Sequence, residues 1–316
     1  MIKNRRAFIV GLKSIVLSNS EIIFLKKYKP WGVILFSRNI KSIKQTKKLT
    51  DKIKSVFKDK KYPILIDQEG GNVNRLNNLI SLENFTSEYF GKIYIKNKKE
   101  FNIIYKLFVD KISNLLLNLG INLNTVPVLD LRYKGSSNII GNRSYSRNPK
   151  IVSDIGDICI KNFRYNSIET VIKHIPGHGL AKVDSHYFTP SVDKSLNYLK
   201  KNDFKTFKFK DSLFAMTAHI IFKKIDPKNT VTHSKKMIKI IRDQIKFKNL
   251  LISDDLSMKS LKYSIKENTT KAFVAGCNLA LHCNGKLKEM RIVAENSPKV
   301  NSFIIKKTSE FYNNLR

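Results

Sequence analysis

The sequence has little of what a small secreted or metal-stapled protein would need. It holds three cysteines in 316 residues, Cys159, Cys277 and Cys283, and no C-x-x-C pair. An odd, widely spaced set builds neither a disulfide framework nor a zinc knuckle; it reads as small buried hydrophobes in a reducing compartment. Glycine (13) and proline (8) are also scarce. No Pro/Gly/Ser-rich linker or low-complexity tract divides the chain, so it reads as folded throughout. No run approaches the about eighteen apolar residues of a membrane span. The opening M-I-K-N-R-R-A-F-I-V-G-L-K has the basic head of a secretory leader, but Lys13 interrupts its apolar core, and no clear cleavage site follows. It reads instead as a first strand, Ala7–Leu12, of a soluble, cytoplasmic protein.

Acidic residues are the other shortage: 25 Asp+Glu stand against 59 Lys+Arg, a net charge of +34. That balance permits nucleic-acid or anionic-surface binding. The lysines, however, are spread through every segment rather than gathered into an arm or stripe. Ile, Asn and Lys are abundant together, as a coding bias would make them. The surface therefore reads as a solvated one, with no specific nucleic acid and no membrane as partner.

What is present is a rhythm. Apolar runs fall at Ala7–Leu12, Gly32–Ser37, Pro63–Asp67, Ile121–Leu129, Thr170–Ile175, Phe214–Ile220, Leu250–Asp254 and Leu279–Cys283. Their hydrophobicity is continuous rather than alternating, which suits strands buried on both faces of a parallel sheet. The stretches between carry helical period. Ile104, Phe108, Ile112, Leu115 and Leu119 share one face, with Gly120 as a stop, and Ile40–Phe57 and Ile151–Phe163 are similar. Alternating strands and helices predict an α/β fold, and eight such strands a single (β/α)8 TIM-type barrel spanning residues 1–316 as one catalytic domain.

Polar residues gather where those strands end. Asp67-Gln68-Glu69-Gly70-Gly71 follows the third run, Lys173-His174 closes the fifth, His219 the sixth, and Ser253-Asp254-Asp255 the seventh. In a barrel these ends open on one face, where active sites of this fold lie, so their convergence predicts an enzyme. Gly70-Gly71 lacks the spacing of a phosphate loop and reads as a sharp turn that sets Asp67 at the rim. Asp254 and Asp255, adjacent on a strand, should point to opposite faces. One enters the mouth and stays ionised near Lys173 and Arg143; Asp255 suits an N-cap for a helix from Leu256.

The string K-H-I-P-G-H-G-L-A-K-V-D-S-H from Lys173 leaves two readings. His174, His178, Asp184 and His186 are possible metal ligands, but Pro176, Gly177 and Gly179 forbid the helix that would converge them. Alternatively, Asp184 and His186, two apart in an extended loop, lie on one side, and the carboxylate tunes the imidazole as proton donor and acceptor. No metal and no cofactor are expected.

Together the strings resemble the β-N-acetylhexosaminidases of glycoside hydrolase family 3 in their compact single-domain bacterial form. They are W-G-V-I-L-F-S-R-N from Trp31, I-D-Q-E-G-G from Ile66 with R-L at Arg75, and P-V-L-D from Pro127. Then come I-G-N-R-S-Y from Ile140, K-H-I-P-G-H-G with D-S-H, M-T-A-H from Met216, S-D-D-L-S-M from Ser253 and A-G-C-N-L from Ala275. The resemblance implies two-step retaining hydrolysis, with Asp254 at the nucleophile's position, His186 at the acid/base's and Asp184 as its partner. Asp67, Arg75, Arg143, Lys173 and His174 match residues that hold the sugar's hydroxyls and acetamido group. A histidine acid/base departs from the usual pair of carboxylates. The loop carrying it, with Gly177 and Gly179, is expected to close over substrate.

The implied substrate is a small carbohydrate, GlcNAc β-1,4-linked to anhydro-N-acetylmuramyl peptide, cleaved in the cytoplasm during cell-wall recycling by a monomer. Asn72, Asn142 and Asn278 depart from the family's pattern, and Asn142 would alter how Arg143 is oriented. Two alternatives stand beside hydrolysis: the same chemistry with phosphate as acceptor, or a non-catalytic basic binder on a barrel scaffold.

Overall fold

The computed structural model describes residues 2–185 and 187–315. Eight strands close into one parallel barrel: β1 (Arg6–Gly11), β2 (Pro30–Leu35), β3 (Ile64–Ile66), β4 (Leu123–Asn124), β5 (Glu169–Ile175), β6 (Phe214–Thr217), β7 (Leu250–Asp255) and β8 (Leu279–His282). Each pairs in parallel with its sequence neighbours, and β1 closes the ring on β8 through the register Phe8↔Ala280, Ile9↔Leu281 and Val10↔His282. Helices intervene between consecutive strands, among them Ile43–Phe57, Lys98–Asn118 and Pro149–Tyr165, and a final helix, Ser302–Asn314, follows β8. The α/β barrel read from the apolar runs is thus the observed fold.

The continuous hydrophobicity has its explanation in two cores. Phe8 and Val10 face outward into the layer between strands and helices, whereas Ala7 and Ile9 face the barrel interior. Both sets are fully buried, so alternation of faces leaves no alternation of polarity. The one tryptophan, Trp31, fills the amino-terminal end of the interior. Its ring meets Phe214 at 5.4 Å and Phe311 at 6.4 Å between centroids, and its indole N–H donates to the Thr308 hydroxyl at 2.8 Å. The final helix is therefore the floor of the barrel.

Local signals start and stop the elements as their chemistry requires. Ser18 and Glu21, and again Ser264 and Glu267, cap helix starts reciprocally. Gly120, at φ 75°, ends the long helix in the left-handed conformation. Three expectations need correction. The run Ile121–Leu129 is a strand only at Leu123–Asn124, because Pro127 has no N–H for the ladder; Leu129 N still donates to Lys173 O at 2.7 Å, so the segment continues beside β5. The run Phe214–Ile220 leaves the barrel after Thr217, and Ile221–Phe222 pairs instead with Ser191–Val192 in a separate two-stranded ladder. No helix starts at Leu256; the chain turns there, with Met258 N donating to Asp255 O at 3.1 Å.

Candidate active site

The carboxyl ends of β3, β5 and β7 bring six of the expected site residues, Asp67, Arg75, Arg143, Lys173, His174 and Asp254, into the wall of one cavity of about 170 Å³. The turn after β3 sets the first of them. Gly70, at φ 98°, lies so near Phe85 that a Cβ would stand 2.4 Å from its carbonyl oxygen. Gln68 ties the turn down, its side-chain oxygen accepting from Arg75 N and Leu76 N at 2.9 and 3.1 Å. This is the sharp turn read from the sequence, and it delivers two carboxylates to the rim.

Those carboxylates are ionised by paired cations. Lys173, buried, donates to Asp67 Oδ1 at 2.9 Å and reaches Glu69 Oε1 at 2.7 Å. Arg143 grips Glu69 with two parallel hydrogen bonds of 2.8 Å, and its third arm donates to the Ile139 carbonyl at 3.0 Å. Thr125 also donates to Asp67. Loss of water would push both acids up, but Lys173 with Arg75 outweighs it at Asp67, and Arg143 with Lys173 brings Glu69 down to about 2. Glu69 went unassigned in the sequence reading. It, and not the residue at 142, orients Arg143, so the Asn142 departure leaves that arginine firmly held.

Behind them lies a second residue the sequence did not single out. Asp130, fully buried, accepts from His174 Nδ1 at 2.7 Å and from the amides of His174 and His178 at 3.2 and 2.6 Å. A carboxylate can only accept, so His174 carries its proton on Nδ1 and turns Nε2 toward the cavity. Its only earlier trace was as the last letter of P-V-L-D. Asp203 is likewise buried, accepts from the Tyr133 hydroxyl at 2.8 Å, and is pushed up to about 7 by loss of water.

At β7 both Asp254 and Asp255 border the cavity, against the alternation expected of a regular strand. The register slips between Leu279↔Ile252 and Leu281↔Asp255, and that irregularity breaks the alternation. Their duties still separate. Asp255 accepts from Ser257 N, Ser257 Oγ and Cys283 N at 3.1, 2.7 and 3.1 Å, so its carboxylate holds the turn rather than a helix. Asp254 accepts at Oδ1 from the Asp255 amide at 2.8 Å and otherwise faces the cavity. Burial pushes its carboxyl up, but His219, His174 and that amide hold it below the ordinary range. The charge partners expected from the sequence, Lys173 and Arg143, are engaged with Asp67 and Glu69 instead. His219 lies two residues past the end of β6. Its Nε2–H donates to the Asp255 carbonyl at 3.0 Å, which leaves Nδ1 to accept from the Thr232 hydroxyl at 2.8 Å.

The loop after β5 adds Ser185 to the wall. Asp184 is half-buried, and its carbonyl accepts from Tyr187 N and Phe188 N at 3.1 and 2.9 Å. His186 itself lies outside the described residues. Among the described residues no group of three or more His, Cys, Asp or Glu is arranged to hold a metal ion, and no helix is long and apolar enough to cross a membrane.

A closed parallel barrel whose carboxyl end presents ionised carboxylates, fixed cations and oriented imidazoles is the layout of a barrel enzyme acting on a polar ligand. Comparison with known proteins makes the class particular. The family model "Glycosyl hydrolase family 3 N terminal domain" matches residues 11–307. The "Beta-hexosaminidase" of Neisseria meningitidis is 34% identical over 263 residues, 80% of this chain and 71% of that protein. That of Methylobacillus flagellatus is 31% identical over 83% of this chain and 76% of its own length. The crystal structure of NagZ from Neisseria gonorrhoeae in complex with N-trifluoroacetyl-D-glucosamine superposes with a TM-score of 0.88 at 28% identity, covering 98% of this chain and 90% of that one. The chain belongs to glycosyl hydrolase family 3. It is a glycoside hydrolase.

Proposed function

We propose that the chain is a retaining exo-β-N-acetylhexosaminidase, working as one barrel domain and as a monomer, that releases terminal β-linked GlcNAc. The observation that carries this reading is Asp254: an ionised carboxylate at the end of β7, held at one oxygen by the Asp255 amide and facing a cavity in which Asp67 and Glu69 are already paired with Lys173 and Arg143. Such a group is poised to attack carbon rather than to bind a cation. The names of the relatives supply the sugar.

In the first step Asp254 bonds to the anomeric carbon while the bond to the glycosidic oxygen breaks, and that oxygen takes a proton from His186. In the second, water attacks the anomeric carbon, gives its proton to His186, and releases the Asp254 carboxylate. Asp184 orients and stabilises the imidazolium. Asp67, Arg75, Arg143, Lys173 and His174 hold the glycone. The Asp67–Lys173–Glu69–Arg143 lattice is suited to this because its donors and acceptors are fixed before substrate arrives. The finer substrate is GlcNAc β-1,4-linked to an anhydro-N-acetylmuramyl peptide, met in the cytoplasm in cell-wall recycling.

Turnover of an aryl β-N-acetylglucosaminide, with the first product's anomer read by NMR, tests the reading. β-GlcNAc is expected first, and an inverted product or no turnover refutes it. Repeating the assay with phosphate separates hydrolysis, which leaves free GlcNAc, from phosphorolysis, which leaves a sugar phosphate. In His186→Ala, a sugar leaving group should suffer far more than a nitrophenolate, which needs no proton. A burst of nitrophenol should then reveal an intermediate on Asp254 by mass spectrometry. Equal losses for both leaving groups would reduce His186 to a positioning role.

A further inference from the structure

Two loops frame the mouth of the cavity, and both carry more than the glycone requires. The loop after β5 puts Ser185 into the wall and leaves Tyr187 and Phe188 62% and 64% exposed. The loop after β7 puts Met258 into the wall, and the next residue, Lys259, holds its ammonium 5.6 Å from the centre of the Tyr187 ring. The loops are fastened together, since the Thr189 hydroxyl donates to the Ser260 carbonyl at 2.7 Å. Tyr187 is anchored from its own side by its amide's bond to Asp184 O. Its ring therefore stands on a tied support, between loops whose Ser185 and Met258 line the cavity.

A single exposed apolar residue needs no explanation, but two adjacent exposed rings on a loop that walls a binding cavity mark a contact surface. The cavity's size says what is missing. About 170 Å³ falls short of the roughly 300–1,000 Å³ of sites that enclose larger ligands. It takes one sugar ring, and whatever is bonded to that ring lies at the mouth. The face of an aromatic ring is electron-rich and packs against the weakly positive C–H face of a pyranose, as it does against the edge of another ring. Lys259 adds a cation–π contact that steadies the tyrosine.

Resting on the hexosaminidase reading above, we propose that Tyr187 is the platform of the aglycone subsite, stacking on the C–H face of the sugar that leaves, with Lys259 as the residue that positions it. The enzyme then selects its leaving group through contacts outside the pocket that selects GlcNAc.

The test holds the glycone constant and changes the aglycone. Tyr187→Ala, Tyr187→Leu and Tyr187→Phe are compared with wild type on a β-1,4-linked GlcNAc disaccharide and on methyl β-N-acetylglucosaminide, with thermal melts to confirm folding. Methanol leaves as poorly as a sugar alcohol and needs the same proton, but offers no ring to stack. The expected result is a loss of about 5- to 20-fold in kcat/KM on the disaccharide for the Ala and Leu variants, with the methyl glycoside within about 2-fold and Tyr187→Phe near wild type. Lys259→Met should give a smaller loss with the same selectivity. Equal losses on both substrates would mean that Tyr187 acts through its neighbour His186, and no loss on either would mean that the ring is idle; each overturns the subsite alone. A wild-type enzyme that cleaves neither substrate overturns the hexosaminidase reading and the subsite together.

Discussion

The two ends of the barrel interior solve opposite problems with side chains of opposite character. At the amino-terminal end Trp31, Phe214 and Phe311 fill the space with apolar volume, and one hydrogen bond, to Thr308, satisfies the only polar atom among their side chains. At the carboxyl-terminal end the same ring of strands delivers Asp67, Lys173 and Asp254, and stability there depends on charges cancelling. The lower half is held by volume and tolerates no cavity. The upper half is held largely by ion pairs, with Asp254 held by an amide instead, so substitutions there are expected to register in stability and activity together.

Substitutions can break this division. The largest expected effect is Asp254→Ala: kcat should fall by about 10⁴-fold or more while the melting temperature holds, because in the proposed mechanism the residue forms the covalent bond and, among the described residues, no ion pair holds it. If Asp255→Ala proved the more damaging to chemistry in a folded protein, the two carboxylates' duties would be exchanged. Trp31→Ala should do the reverse, costing about 3–5 kcal/mol in denaturant melts while the folded enzyme keeps its kcat. Loss of kcat without loss of stability would show that the two ends are coupled. Glu69→Gln should register in both measurements, since Arg143 loses its bidentate partner; a drop of about 10²-fold in kcat/KM with about 3 kcal/mol of stability is expected.

Two smaller effects sharpen the comparison. Asp203 titrates higher in the folded state, at about 7, than the 3.8 of an unperturbed Asp. The folded protein thus holds a proton that the unfolded chain has released. The stability this confers is complete below about pH 4 and lost as pH rises through 7, at up to about 1.4 kcal/mol per pH unit. Stability measured between pH 5 and 8 should fall less steeply in Asp203→Asn, and an unchanged slope would remove the residue from the account. Asp130→Asn, which can donate where the carboxylate only accepts, should disturb the tautomer of His174 and lower kcat/KM by about 10-fold. Combined with His174→Ala it should add nothing, whereas additive losses would mean that Asp130 acts elsewhere.

The strands were legible because a residue buried on both faces leaves a plain mark, as at Phe8–Val10 and Val171–Ile172. Strand ends were less so. At Pro127 and at the slip between β7 and β8, pairing with a distant partner decides the geometry, and no local pattern carries that information. The lining of the candidate cavity was legible where a residue stood at a strand's end, as Asp67, Lys173 and Asp254 do. Glu69 and Asp130 were missed because a carboxylate's role depends on which cation or imidazole the fold brings to it, and Arg143 is 74 residues from Glu69. The capping preference of Asp also placed Asp255 before a helix from Leu256, where the chain turns instead.

The floor of the barrel has a consequence for how the chain comes to be folded. Trp31 waits for Thr308, 277 residues later. β1 waits for β8, and Arg5 for the Tyr312 hydroxyl. At roughly 5–20 residues per second of synthesis, 277 residues are about 14–55 s. Through that interval the nascent chain presents one unpaired edge of β1 and a bare indole. The ring can close only after nearly every other element exists, so its formation is a late, non-local event and a slow one. The open edges of the sheet are closed by β8, and the bare indole is covered only when the final helix docks.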